Sequence, residues 1–276
     1  MFAIAVLAFL ACLPSVAAAQ TAPVEPNRGN IRLTGNFELT NAYLFRGLLQ
    51  DDTNFIMWPS ADAGFRLQSG TGTVQETVLH LGTWNSLHTG VTGSDGPSGK
   101  LWYESDFYTT LAVALGSGIN VGATYTAYTS PNNSFSSVKE LSFKAGAGGF
   151  INPYGLVAFE LDTHPGLGQA DGGLNAGTYL ELGAAPQWQY APATIAFPIK
   201  IGLSLNDYYE LAGVDHTFGF LSIGAIATVP FATSTNYGTW NVHGGIEFYS
   251  LGDTPEAFNA GDQQKVVASV GIGFTY

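Results

Sequence analysis

The sequence contains one cysteine in 276 residues, Cys12, and it lies in a segment read below as a cleaved leader. A disulfide framework and a cysteine-ligated metal site are thereby excluded for the processed chain. Charge is also scarce. Asp, Glu, Lys and Arg make up 11% of the residues, and 9 Lys and Arg stand against 21 Asp and Glu. The net charge of −12 and the lack of any basic run exclude nucleic acid as a partner, because phosphates demand a basic patch. No basic amphipathic helix exists to lie on a membrane surface. Nor does any segment beyond the leader form an apolar run long enough for a membrane-crossing helix.

What is present argues against disorder: 13% of the residues are aromatic, and Lys and Glu are few. Phe2 to Leu13 is an apolar core of signal-peptide length, with Ala17-Ala18-Ala19 as an A-x-A cleavage site. Residues 1–19 are therefore expected to be a signal peptide. Residues 20–30, with two prolines, are expected to be a short flexible periplasmic leader, and 31–276 a single domain.

From Ile31 onward the pattern alternates with period two, the signature of strands with one apolar face. Leu33, Phe37 and Leu39 oppose Arg32, Asn36 and Glu38, and the alternation is expected to continue through Phe45 and Arg46. Further strands are predicted near 55–67, 74–85, 102–115, 119–129, 139–151, 154–163, 178–190, 194–208, 217–230, 239–250 and 264–276. In the last, Val266, Ala268, Val270, Ile272, Phe274 and Tyr276 share one face. Short turns at Ser69–Gly72, Gly116–Gly118, Asn152-Pro153 and Ala191-Pro192, and a longer one at 231–238, alternate with long Asp/Gly/Ser-rich connections. Aromatics at outer strand ends (Tyr43, Phe45, Phe55, Tyr103) and inner ones (Phe65, Trp188, Tyr190, Phe274, Tyr276) are placed as girdles would be. The expected fold is all-β: a closed antiparallel transmembrane β-barrel of about twelve strands.

In such a barrel the apolar positions touch lipid, and the polar ones line the lumen. Inward acids would be Glu38, Asp62, Glu76, Glu104, Asp106, Glu140, Glu160, Asp162, Glu181 and Glu247, against the bases Arg32, Arg46, Arg66, Lys144 and Lys200. That surplus predicts a mild cation preference, unless ion pairing absorbs it. The pore-lining candidates are Arg46, Asp62, Arg66, Glu104, Asp106, Glu160, Asp162, Glu181, Lys200 and Glu247. Bulky inward residues (Trp58, Trp84, Tyr108, Phe218, Tyr249) predict a narrow bore. His80 and His243 also point inward, but sequence places no serine or aspartate beside either, so no catalytic residues are assigned. No cofactor loop is present, since the glycine clusters begin no helix.

Asn41-Ala-Tyr-Leu-Phe-Arg46-Gly47 resembles the N-x-Y-x-F-R-G of TorF-like putative porins of the bacterial outer membrane. Thr83-Trp84-Asn85-Ser86 and Glu104-Ser-Asp106-Phe-Tyr108 are also similar, so the likeness covers roughly residues 33–115. The resemblance implies an outer-membrane barrel of presumed transport function, and it assigns no functional residue. The expected partners are outer-membrane lipid and lipopolysaccharide, the latter through acidic loops, and small hydrophilic solutes. Barrel-assembly machinery is expected to read the strand ending in Tyr276. The expected role is passive diffusion; a closed structural or adhesive barrel working through its loops is the alternative. Arg46 is expected to face acids such as Glu104 or Asp106 across the barrel mouth.

Overall fold

In the computed structural model, residues 29–94, 99–161, 175–234 and 236–276 are described. The signal-peptide and leader assignments therefore lie almost wholly outside the described residues, as does Asp162. Twelve antiparallel strands close into one barrel: β1 (Ile31–Thr40), β2 (Ile56–Ser69), β3 (Val74–His88), β4 (Trp102–Leu115), β5 (Ile119–Thr129), β6 (Val138–Ala147), β7 (Tyr154–Glu160), β8 (Thr178–Ala184, resuming at Gln187–Tyr190), β9 (Ala193–Ala196, resuming at Ile199–Asn206), β10 (Phe218–Ser234), β11 (Gly238–Leu251) and β12 (Gln264–Thr275). Each strand pairs with its neighbours in sequence, and β12 pairs with β1 in the register Thr34↔Thr275, Phe37↔Ile272 and Thr40↔Ser269. Leu33 and Tyr276 exchange backbone hydrogen bonds of 2.6 and 2.7 Å, so the seam is sealed to its end. Closure removes the sheet edge that hydrocarbon could not solvate.

The outward positions carry the apolar set. Phe107 is 58% exposed, Ile246 56%, Val270 53% and Ile223 50%, values that suit contact with acyl chains and not with water. Inward positions are polar near the short-turn end and aromatic near the long-loop end.

β8 and β9 are each broken where one continuous strand was expected. Pro186 and Pro198 interrupt them, because proline has no N–H to give the ladder. Their carbonyls still accept, from Phe197 N (2.9 Å) and Gly224 N (2.8 Å). β10 extends to Ser234, past the expected end near 230, by absorbing Pro230 in a register shift. The larger departure is at β1, which stops at Thr40. Tyr43 to Asp51 leaves the wall and folds inward as a hairpin, Tyr43–Phe45 pairing with Leu48–Asp51.

Candidate functional site

The inward hairpin divides the outer half of the bore. Leu44 and Leu48 pack into one aromatic cluster, with Tyr179, Tyr208, Tyr209, Phe220 and Tyr249. Tyr43 and Phe45 pack into a second on the opposite side, with Ile56, Tyr103, Tyr128 and Phe135. Tyr43, Phe45 and Tyr103 are thus not girdle residues as expected. Tyr43 and Tyr103 are buried inside the barrel, whereas Phe55 is 70% exposed. Strict alternation places Tyr103 outward. A register shift between Ser86 and Leu87 against β4 turns it in, where it stacks on His88 at 4.3 Å and donates to Gln50 Oε1 at 2.6 Å. Phe218, expected inward, is 39% exposed; a neighbouring register shift at Gly202/Leu203 leaves Phe220 as the buried aromatic of β10.

The hairpin tip is a two-residue turn. Arg46 (φ 50°) and Gly47 (φ 83°) are both left-handed, as a type I′ turn requires. Gly47 also lets Phe220 approach: an added Cβ would sit 3.0 Å from its ring. For an arginine this backbone is strained. Its side chain shows what offsets the strain. Nη1 and Nη2 donate to the two carboxylate oxygens of Glu140 on β6 at 2.7 and 2.8 Å, and Nη1 also donates to Tyr208 Oη at 2.9 Å. The guanidinium lies 4.3 Å over the Tyr179 ring, and the Arg46 carbonyl accepts from Tyr209 Oη at 2.8 Å. Arg46 therefore pairs with Glu140, not with Glu104 or Asp106 as expected. The chain turns inward five residues earlier than a continued strand would, which carries the tip to another wall.

The base of the hairpin is tied separately. Asp51 accepts from Thr53 N (2.7 Å) and Thr53 Oγ1 (2.6 Å), and both Thr92 N (3.0 Å) and the Thr92 hydroxyl donate to its other oxygen. Burial alone would raise the Asp51 carboxyl; the nearby His88 ring and the hydrogen bonds from Thr53 and Thr92 outweigh it and hold the group well below the ordinary range. His88 Nε2 lies 2.6 Å from Ser86 Oγ, and its Nδ1 lies 3.6 Å from Asp51. This Ser86–His88–Asp51 order resembles a hydrolase triad. However, Ser86 and His88 are both fully buried, and Ser86 Oγ accepts from Trp58 Nε1 at 3.0 Å. No substrate carbonyl reaches that oxygen, so the array ties hairpin to wall. Sequence reasoning missed it because it joins an i, i+2 pair on β3 to a residue 35 positions earlier.

Below the hairpin the inward charges are mostly paired. Glu76 accepts from Arg66 (2.6 Å) and Arg32 (3.0 Å), Asp62 lies 2.8 Å from His80, and Lys200 lies 2.8 Å from Glu247. Glu181 accepts from Tyr154 and Tyr179 at 2.7 Å each, and Lys144 sits 4.2 Å over Tyr154. Glu160 accepts from Gly177 N at 2.7 Å. Among the described residues no basic side chain lies within ion-pair distance of Glu104, Asp106 or Glu160. Two lumenal cavities, about 370 and 420 Å³, meet at Tyr108. That ring lies across β3 at Gly82, where an added Cβ would fall 2.2 Å from it. No cluster of His, Cys, Asp and Glu suited to a metal ion occurs among the described residues.

No family model matches the chain, and no curated protein matches it. The likeness to TorF-like porins rests on its three motifs alone. Solved structures are similar only distantly. The NanC porin is 9% identical over 88% of this chain and 98% of its own, with a TM-score of 0.44. The translocator domain of autotransporter NalP from Neisseria meningitidis is 14% identical over 90% and 89%, with a TM-score of 0.48. The Salmonella typhi outer membrane phospholipase dimer with bound calcium is 12% identical over 87% and 90%, with a TM-score of 0.48. A porin, a translocator and a lipase at such distances do not separate the functions open to this chain.

Proposed function

We propose that this chain is an outer-membrane channel of porin type for small hydrophilic solutes, narrowed near its outer face by the hairpin Tyr43–Asp51. The location follows from a lipid-facing barrel in a chain with an expected export signal, and the TorF-like motifs agree with it. The observation that carries the channel reading is the bore below the hairpin. Thr34, Asn36, Ser60, Asn241 and His243 surround a polar cavity that a purely structural barrel would fill with side chains. Among the described residues, Glu104, Asp106, Glu160 and Glu181 stand outside the ion pairs of the wall against one lumenal base, Lys144, which supports the expected cation preference.

A second reading has its own observation: two aromatic clusters flank the hairpin and close the outer half. On that reading the barrel is shut and acts through its loops. Purified protein in planar bilayers separates the two. The channel reading expects discrete conductance steps with a reversal potential displaced toward cations, together with swelling of liposomes in small sugars. Silent bilayers, both for the native chain and for one with residues 43–51 replaced by a short Gly-Ser linker, would refute it.

A further inference from the structure

The cavity directly under the hairpin differs in chemistry from the rest of the bore. Its walls are mostly aromatic, with Tyr43, Trp84, Tyr108 and Tyr128 facing a space of about 420 Å³, within the size range of small-ligand sites. Its one acid is Asp106, 7% exposed, and Asp106 Oδ1 has no hydrogen-bond partner. Glu104, two residues earlier on β4, is buried as well, at 5% exposed. No basic side chain among the described residues lies within ion-pair distance of either acid. A buried charge without a counterion is costly, and the cheapest remedy is a cation from outside. The aromatic faces narrow the choice. Rings carry negative faces that attract weakly hydrated organic cations, whereas a bare metal ion would need several more oxygen ligands than these walls supply. The barrel already holds one cation this way, since Arg46 sits over Tyr179 and beside Phe45.

We propose that this cavity binds a small organic cation, an amine or quaternary ammonium group, with Asp106 as its anionic partner and Trp84, Tyr108 and Tyr128 as its aromatic walls. As the solute class of the channel this rests on the reading above; as a binding site it stands without conduction. The test therefore measures binding first. Titration calorimetry of the full refolded barrel in detergent uses choline and its uncharged isostere 3,3-dimethyl-1-butanol. Saturable binding of choline, at least tenfold weaker binding of the alcohol, and a loss of at least tenfold in Asp106→Asn are expected. Trp84→Phe is expected to weaken choline severalfold, and Asp253→Asn, on an exposed outer loop, to leave it unchanged. Equal binding of the alcohol, an Asp106→Asn affinity within twofold of native, displacement of choline by an equal concentration of sodium, or no choline binding would each overturn the proposal. Urea-denatured fractions of Asp106→Asn and Glu104→Gln, read by heat-modifiable gel mobility, identify a variant that has merely failed to fold. Glu104→Gln leaves Asp106 in place and supplies the needed reading if Asp106→Asn does not fold. It is then expected to leave choline affinity within severalfold of native, because Asp106 keeps its carboxylate, and a loss of tenfold or more would count against Asp106 as the anionic partner. Binding without conductance would keep the site and sink only the channel.

Discussion

Replacing Arg46 by alanine should open the bore. The side chains of Arg46 and Glu140 are 11% and 2% exposed, so the variant leaves a carboxylate buried without its partner. Breaking a buried pair from one side costs about 3–5 kcal/mol. Alanine keeps the left-handed strain of the turn, so nothing is recovered there. At tenfold per 1.4 kcal/mol, the docked hairpin loses roughly 100- to several-thousand-fold in its equilibrium against the undocked form. In planar bilayers Arg46→Ala is expected to show larger conductance steps or a higher open fraction than the native barrel. Arg46→Met with Glu140→Leu removes both charges into an apolar fit, and is expected to stay as narrow as native. Loop accessibility provides a second reading, since chymotrypsin should cut Arg46→Ala near Tyr43–Phe45 and spare the double variant. The reasoning fails if Arg46→Ala conducts as the native chain does while the hairpin remains protected. It fails equally if the single and double variants open alike.

Three further outcomes follow from the same geometry. The Asp51 carboxyl is held below the ordinary range, near 3.9, so its contribution to docking is fully present above that value and is lost as pH falls through its own lower pKa; conductance should be flat from neutral pH to about pH 4 and rise only in stronger acid, whereas a rise between pH 7 and 5 would assign the control to another group. Gly219→Ala places a Cβ 2.0 Å from the Tyr209 ring, which donates to the Arg46 carbonyl, so it should loosen the hairpin without unrolling the barrel; native protease protection would count against this. Val270→Arg puts a charge on the outward face midway along β12, where a bilayer penalises it by about 2–4 kcal/mol, and folding yield into vesicles should fall accordingly; an unchanged yield would argue against lipid contact there.

The barrel was legible because period two is a strong local signal that long strands repeat many times. All twelve strands fall on the stretches where alternation runs, and the seam pairs the two segments the sequence itself marks as first and last. The errors sit where a local rule meets a backbone exception. Alternation through Tyr43, Phe45 and Arg46 is real, but it belongs to a hairpin arm turned into the lumen, and period two cannot tell a wall from a plug. Tyr103 and Phe218 were misplaced for one reason: a register shift reverses every side chain beyond it, and no residue type announces such a shift. Arg46 and Glu140 lie 94 positions apart, so their pairing depended on the tertiary path of the hairpin.

One local clue to the hairpin was nonetheless in the sequence. Arg46-Gly47 lies between two apolar arms, Tyr43–Phe45 and Leu48-Leu49, and a type I′ turn is the tightest link between such arms. Asparagine is the residue that usually tolerates its first position, so arginine there has to be explained by what its side chain reaches. Glu140, the Tyr208 hydroxyl and the Tyr179 ring supply the explanation only while the hairpin is docked. Once it undocks, the left-handed arginine keeps its strain and loses every contact that offset it, so the turn should relax. The docked and relaxed hairpins are then two discrete arrangements, with no gradual path of partly held states between them. A constriction built on that turn should open in steps, and Arg46→Gly, which removes the strain along with the bridge, should lengthen the open dwell relative to native while leaving step size equal to that of Arg46→Ala.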